Sequence, residues 1–90
     1  MSAIRAPEAL KMAERIKFIW DFYGSGSKPT ATHHIKHLGE FVAGEKLDDI
    51  PMGIEEVTPK HHIAYMVVER EMMDNLRQIL KPHRGQIYEE

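Results

Sequence analysis

The pattern of this 90-residue chain predicts an α+β domain: a four-stranded antiparallel sheet with two helices on one face. Three observations carry that expectation. Two runs, RIKFIWDFY and HHIAYMVVE, place large apolar side chains on both of their alternating faces, as strands buried on both sides do. Two other segments repeat their apolar residues at helical spacing. The order is strand, helix, strand, strand, helix, strand, and ninety residues leave room for a single domain.

Residues 1–14 stand apart as an N-terminal arm or short helix, and the domain proper spans 15–90. Pro7 can open a helix over PEALKMAE because its missing N–H is not needed at the first helical position. So short a helix does not hold by itself in water, where about 12–15 residues are needed. Arg15 to Tyr23 reads as a strand, with Ile16, Phe18, Trp20 and Phe22 on one face and Lys17, Ile19, Asp21 and Tyr23 on the other. GSGSKP is a loop. A helix is expected over Thr30 to Leu47, capped by Thr30 or Thr32, with Pro29 discouraging an earlier start. Its apolar stripe is Ala31, Ile35, Leu38, Phe41 and Val42. His34 falls within that stripe, His37 on its border and His33 on the solvent side.

After the turn-rich DDIPMG, a short polar strand is expected over Gly53 to Thr58, followed by a turn at Pro59-Lys60. The second apolar strand, His61 to Glu69, sets Ile63, Tyr65 and Val67 against Ala64, Met66 and Val68. From about Arg70 to Lys81, Met72, Met73, Leu76, Ile79 and Leu80 form one side of a helix that Pro82 stops. Gly85 to Glu89 supplies a last short strand.

This element order is the split βαβ, or ferredoxin-like, arrangement βαββαβ. It makes the first and third strands central and the second and fourth edges. The two apolar runs are first and third, while the charged GIEEVT and GQIYE suit edges. Over residues 15–90 the chain thereby resembles the dimeric α+β barrel superfamily, in element order and in its two-sided strands. That superfamily includes small monooxygenases, isomerases and haem-handling proteins. The resemblance implies a homodimer with sheets packed face to face, and a pocket between sheet and helices with a histidine or tryptophan on its wall. Fold likeness of this kind does not name a function.

Composition removes several classes. A net charge of −2 with interspersed signs is no footprint for nucleic acid. No run of about 18 apolar residues offers a membrane span. The N-terminal segment lacks a signal peptide's apolar core, so a cytoplasmic protein is expected. The chain has no cysteine, which excludes disulfides, thiolate nucleophiles and sulfur-ligated zinc. GSGSKPTAT lacks the glycine spacing of a P-loop, since Asp21 stands five places before Gly26.

The histidines carry the chemical expectations. The connectivity sets the start of the first helix and the Pro59-Lys60 turn at one end of the sheet, which gathers His33, His34, His37, His61 and His62 there and leaves His83 elsewhere. His34, with its pKa moved by burial, is the candidate proton-transfer group, and Asp21 is its candidate catalytic partner. Trp20, His37 and Tyr65 are candidate ligand contacts. His33, His37, His61 and His62, with Glu40 nearby, are the candidate ligands for a divalent transition metal. Each has a plainer reading: solvated helix histidines, an ion-paired Asp21, an aromatic core. The sequence thus leaves three functions open: small-molecule binding in a sheet–helix pocket near His34, a transition-metal-binding or metal-responsive module, or a structural or regulatory interaction module without catalysis.

Overall fold

The computed structural model describes residues 14–47 and 50–88. The expected arm falls almost wholly outside these residues, as does Glu89. Six elements follow in order: β1 (Arg15–Tyr23), α1 (Ser27–Gly44), β2 (Met52–Thr58), β3 (His61–Glu69), α2 (Arg70–Leu80) and β4 (Arg84–Tyr88). The four strands form one antiparallel sheet in the order β2-β3-β1-β4. This is compatible with the ferredoxin-like arrangement, and the two apolar runs are its central strands.

The register between β1 and β3 organises the interior. Ile16 pairs with Val68, Phe18 with Met66, Trp20 with Ala64 and Phe22 with His62. Alternation sends all of these to one face. There Leu38 of α1 and Leu76 of α2 join Ile16, Phe18, Trp20, Ala64, Met66 and Val68 in the core, so both helices cover the same side. Ala64 lies opposite the largest side chain in the chain, and Phe18 meets Trp20 edge to face at 6.2 Å. Such an aromatic pair adds about 0.5–1.5 kcal/mol beyond the area it buries. On the opposite face Ile19, Ile63 and Val67 are only 2, 4 and 1% exposed within this single chain.

Helix α1 begins at Ser27, three residues ahead of the sequence expectation. Pro29 sits inside the first turn, where its missing N–H has no intrahelical acceptor to lose. Thr30 and Thr32 do not cap. Their hydroxyls donate back to the carbonyls of Gly26 and Lys28, both at 2.9 Å. The helix ends in a Schellman turn: Lys46 takes a left-handed conformation, its N–H donating to Ala43 and that of Leu47 to Val42. Helix α2 also closes on a left-handed lysine, Lys81, and this sharp turn sends Pro82 and His83 back across β1. The indole N–H of Trp20 donates to the Leu80 carbonyl at 3.2 Å, and the His83 N–H donates to the Ile19 carbonyl at 3.0 Å.

The loop from β1 to α1 is fixed at its far end. Gly24, at φ 103°, donates to the Lys60 carbonyl, and the Ser27 N–H donates to Gly24. Ser27 Oγ lies 2.7 Å from Nδ1 of His62, with both residues buried. This bond ties the first turn of α1 to the start of β3. A buried polar group stripped of its partner costs about 1–3 kcal/mol, whereas replacing both partners by apolar groups is far milder. Ser27→Ala should therefore lower the urea midpoint by the equivalent of about 1–3 kcal/mol. Ser27→Ala/His62→Leu should recover part of that loss. A neutral Ser27→Ala would mean that the bond does not hold the loop.

Candidate functional site

His61 and His62 are neighbours in sequence and face opposite sides of the sheet. His62 lies on the helix side; its Nε2 comes 3.4 Å from Glu56 Oε1, too long for a hydrogen bond. His61 lies on the other side with Asp21 and Tyr23, its alternation partners across the ladder. A register shift between Glu56 and Thr58 leaves Val57 unpaired beside them.

On that face Asp21 is the hub. Arg84 grips it with two bonds, Nε to Oδ2 at 2.9 Å and a terminal nitrogen to Oδ1 at 3.1 Å. His61 Nε2 donates to Oδ1 at 2.8 Å. The Arg84 bond, reinforced by His61, holds the Asp21 carboxyl below its ordinary range despite its burial, and Asp21 in turn raises the Arg84 guanidinium. An ionised Asp21 accepts only, so His61 carries its proton on Nε2, and in the neutral ring Nδ1 is the basic nitrogen. Tyr23 stacks on that ring at 4.3 Å. Arg84, Asp21 and His61 thus form one hydrogen-bonded network on this face.

His34 occupies the other face. Its ring packs on Trp20 at 4.8 Å and Phe22 at 5.6 Å, and its buried Nε2 makes no hydrogen bond among the described residues. The expected partnership of His34 with Asp21 does not form, because Asp21 alternates with Trp20 and Phe22 and points away from the helices. The expected gathering of the histidines is also revised. His83, assigned elsewhere from the sequence, accepts the Asp21 backbone N–H on Nδ1 at 2.8 Å and packs on Phe22 at 6.1 Å. Just ahead of β4, its ring takes the place of a ladder carbonyl as the acceptor. The turn at Lys81 that delivers it is not readable from local periodicity.

The proposed metal ligands separate into three environments. His33 and His37 pair with each other on the exposed side of α1, Nε2 to Nε2 at 3.0 Å. His61 is bound to Asp21 and His62 to Ser27, on opposite sheet faces. Among the described residues no three histidine, aspartate or glutamate side chains converge as metal ligands. The expected four-histidine centre is thus not assembled. The ligand candidates are dispersed too. Trp20 is buried under the helices, His37 is exposed, and Tyr65 lies on the far face with Lys17 Nζ 4.6 Å above its ring. The Tyr65 phenol covers Gly53, where a Cβ would stand 2.8 Å from its oxygen.

A sheet–helix cleft exists in a different place. It has a volume of about 460 Å³ and opens between β4 and α2, over Ile16 and Phe18, with Met73, Arg77, Pro82 and Ile87 around it. Gly85 stands above Ile16 and Phe18, and a Cβ there would meet Ile16 Cγ2 at 3.6 Å, an ordinary contact. Gly85, lacking a side chain, adds nothing to the space above them. Arg77 is mostly exposed, and its ion pair with Asp74 is long, at 3.8 Å. A second groove, also about 460 Å³ but more open, runs along the outside of α1 between Lys28, His33 and Lys36.

No family model matches the chain, and no curated protein or solved structure matches it either. No helix of the described residues is long and apolar enough to cross a membrane.

Burial, with the nearby His37 and His83 adding to it, holds the His34 imidazole below its ordinary pKa of 6.5. The unfolded chain therefore takes up this proton first as the solution is acidified. The stability contributed by neutral His34 is complete above pH 6.5 and is lost as pH falls from there through the folded pKa. Asp21 acts in a lower window: its contribution is complete above the ordinary carboxylate pKa of 3.8 and is lost as pH falls below it. Replacing His34 with Phe, which keeps a ring against Trp20 and Phe22, should flatten the decline of Tm below pH 6.5 while leaving the Asp21 window in place. An unchanged slope would assign the acid sensitivity to another histidine.

Proposed function

We propose that this protein is a small binding module that takes an apolar acid, a carboxylate on a short hydrocarbon or aromatic body, into the cleft between β4 and α2. The observation that carries this reading is the pairing of an apolar floor, Ile16 and Phe18 under Gly85, with a loosely partnered guanidinium, Arg77, beside it. The cleft volume lies within the range of about 300–1,000 Å³ common to small-molecule sites. Burying 100 Å² of apolar ligand surface there contributes about 2.5 kcal/mol, and a charge-assisted bond from Arg77 about 1.5–3 kcal/mol. In this reading the ligand site lies at the β4 edge rather than beside His34, and His83 borders it. The two carboxylate-facing arginines have separate tasks in this reading: Arg84 is committed to Asp21, and Arg77 is available to a ligand.

Anilinonaphthalene sulfonate, an apolar aromatic anion, is a suitable probe, with octanoate as competitor. The native chain should enhance its fluorescence with saturable one-to-one binding that octanoate reverses. Gly85→Ala should weaken binding and Gly85→Val abolish it, while the alanine variant keeps or gains about 0.5–1 kcal/mol of stability. Arg77→Ala should weaken binding about tenfold, the equivalent of a single charge-assisted hydrogen bond. Binding indifferent to both Gly85 and Arg77 would contradict the assignment. Absence of binding in a chain that unfolds cooperatively would favour an interaction module instead.

A further inference from the structure

The exposed face of α1 carries an arrangement that the cleft does not use. His33 and His37 are one helical turn apart, and their Nε2 atoms converge to 3.0 Å. The rings are nearly perpendicular, with centroids 4.5 Å apart, and they meet through their Nε2 atoms. Two imidazoles in this relation share one proton: one Nε2 donates and the other offers its lone pair. Nδ1 of His37 faces Glu40, with Oε1 at 3.5 Å. At that distance no hydrogen bond is made; a small rotation of the exposed Glu40 side chain brings its carboxylate onto Nδ1, which favours hydrogen there and frees Nε2 of His37.

We propose that His33 and His37 form a two-point chelate for a divalent transition ion, with Glu40 as the outer carboxylate that orients His37. The geometry matches what an ion requires. Metal–imidazole bonds of about 2.0–2.1 Å, set at angles between octahedral and tetrahedral, separate two donor nitrogens by about 2.9–3.4 Å. The observed 3.0 Å falls in that interval, so the two nitrogens already stand at chelating separation. The helix backbone fixes the spacing in advance, since residues four apart lie on the same face. Copper and nickel, which accept imidazole nitrogens and occupy the high end of the divalent affinity order, suit the pair best. His33 also lines the open groove bordered by Lys28 and Lys36, where a small anion or water can complete the shell. The two lysines oppose a bare cation and favour one that arrives with an anionic co-ligand.

This site is independent of the β4–α2 cleft and does not draw on His61 or His62. The experiment is isothermal titration of untagged protein with nickel(II) and copper(II) in a non-chelating buffer, alongside thermal melts. One ion should bind per chain, copper more tightly than nickel, and binding should raise Tm because only the helical conformation presents both nitrogens together. His33→Ala and His37→Ala should each abolish stoichiometric nickel binding without changing the helical circular dichroism, as both positions are exposed. Glu40→Gln should weaken nickel binding about tenfold, the low end of the effect of removing an outer carboxylate. One result would overturn the proposal: nickel and copper binding no more tightly to the native chain than to His33→Ala/His37→Ala. An unchanged affinity in Glu40→Gln would remove Glu40 from the assignment.

Discussion

The antiparallel pairing of β1 with β3, in the register that sets Trp20 opposite Ala64, is the constraint from which the other placements follow. A strand alternates its side chains with a period of two, so this one register deals the residues of both central strands between two faces. It sends Phe18, Trp20 and Phe22 beneath the helices with His62, and it sends Ile19, Asp21 and Tyr23 to the far side with His61. A slip of a single residue would bury the Asp21 carboxylate among Leu38 and Leu76 and expel Trp20. The cost of burying that charge without Arg84 is several kcal/mol, which is why the register is strongly specified.

The same division explains how six histidines come to occupy such different environments. His61 is held by a carboxylate and a stacked phenol, and His62 by a buried hydroxyl. His34 packs between two aromatic rings, and His83 accepts the backbone N–H of Asp21. Only His33 and His37 share one surface and direct nitrogen atoms at each other. Residue type sets what an imidazole is able to do, and backbone geometry selects which of those possibilities it realises.

Much of the fold was legible because its signals are local. Two-sided apolarity marks RIKFIWDFY and HHIAYMVVE as central strands, and the charged GIEEVT marks an edge. The start of α1 was displaced because Pro29 was read as a boundary, although proline is equally at home inside a first turn. The candidate site was less legible. The separation of Asp21 from His34 was implicit in strand alternation, since Trp20 and Phe22 flank Asp21 and fall on the opposite strand face, where His34 packs. The roles of His83 and Arg84 depend on contacts that span 62 and 63 positions and on a left-handed turn at Lys81, which no periodicity announces. The cleft beside Gly85 was invisible for a related reason. A glycine in a strand reads as a weak edge, and only the packed sheet reveals that its missing side chain leaves space above Phe18.

Cross-strand nuclear Overhauser effects between β1 and β3 test the register most directly. The account predicts backbone contacts linking Trp20 with Ala64 and Phe18 with Met66, together with side-chain contacts from His61 to Tyr23 and from His34 to Trp20. Contacts linking Trp20 instead with Ile63 or Tyr65 would move every side chain of one strand to the other face, and would contradict both the core and the sites built on it.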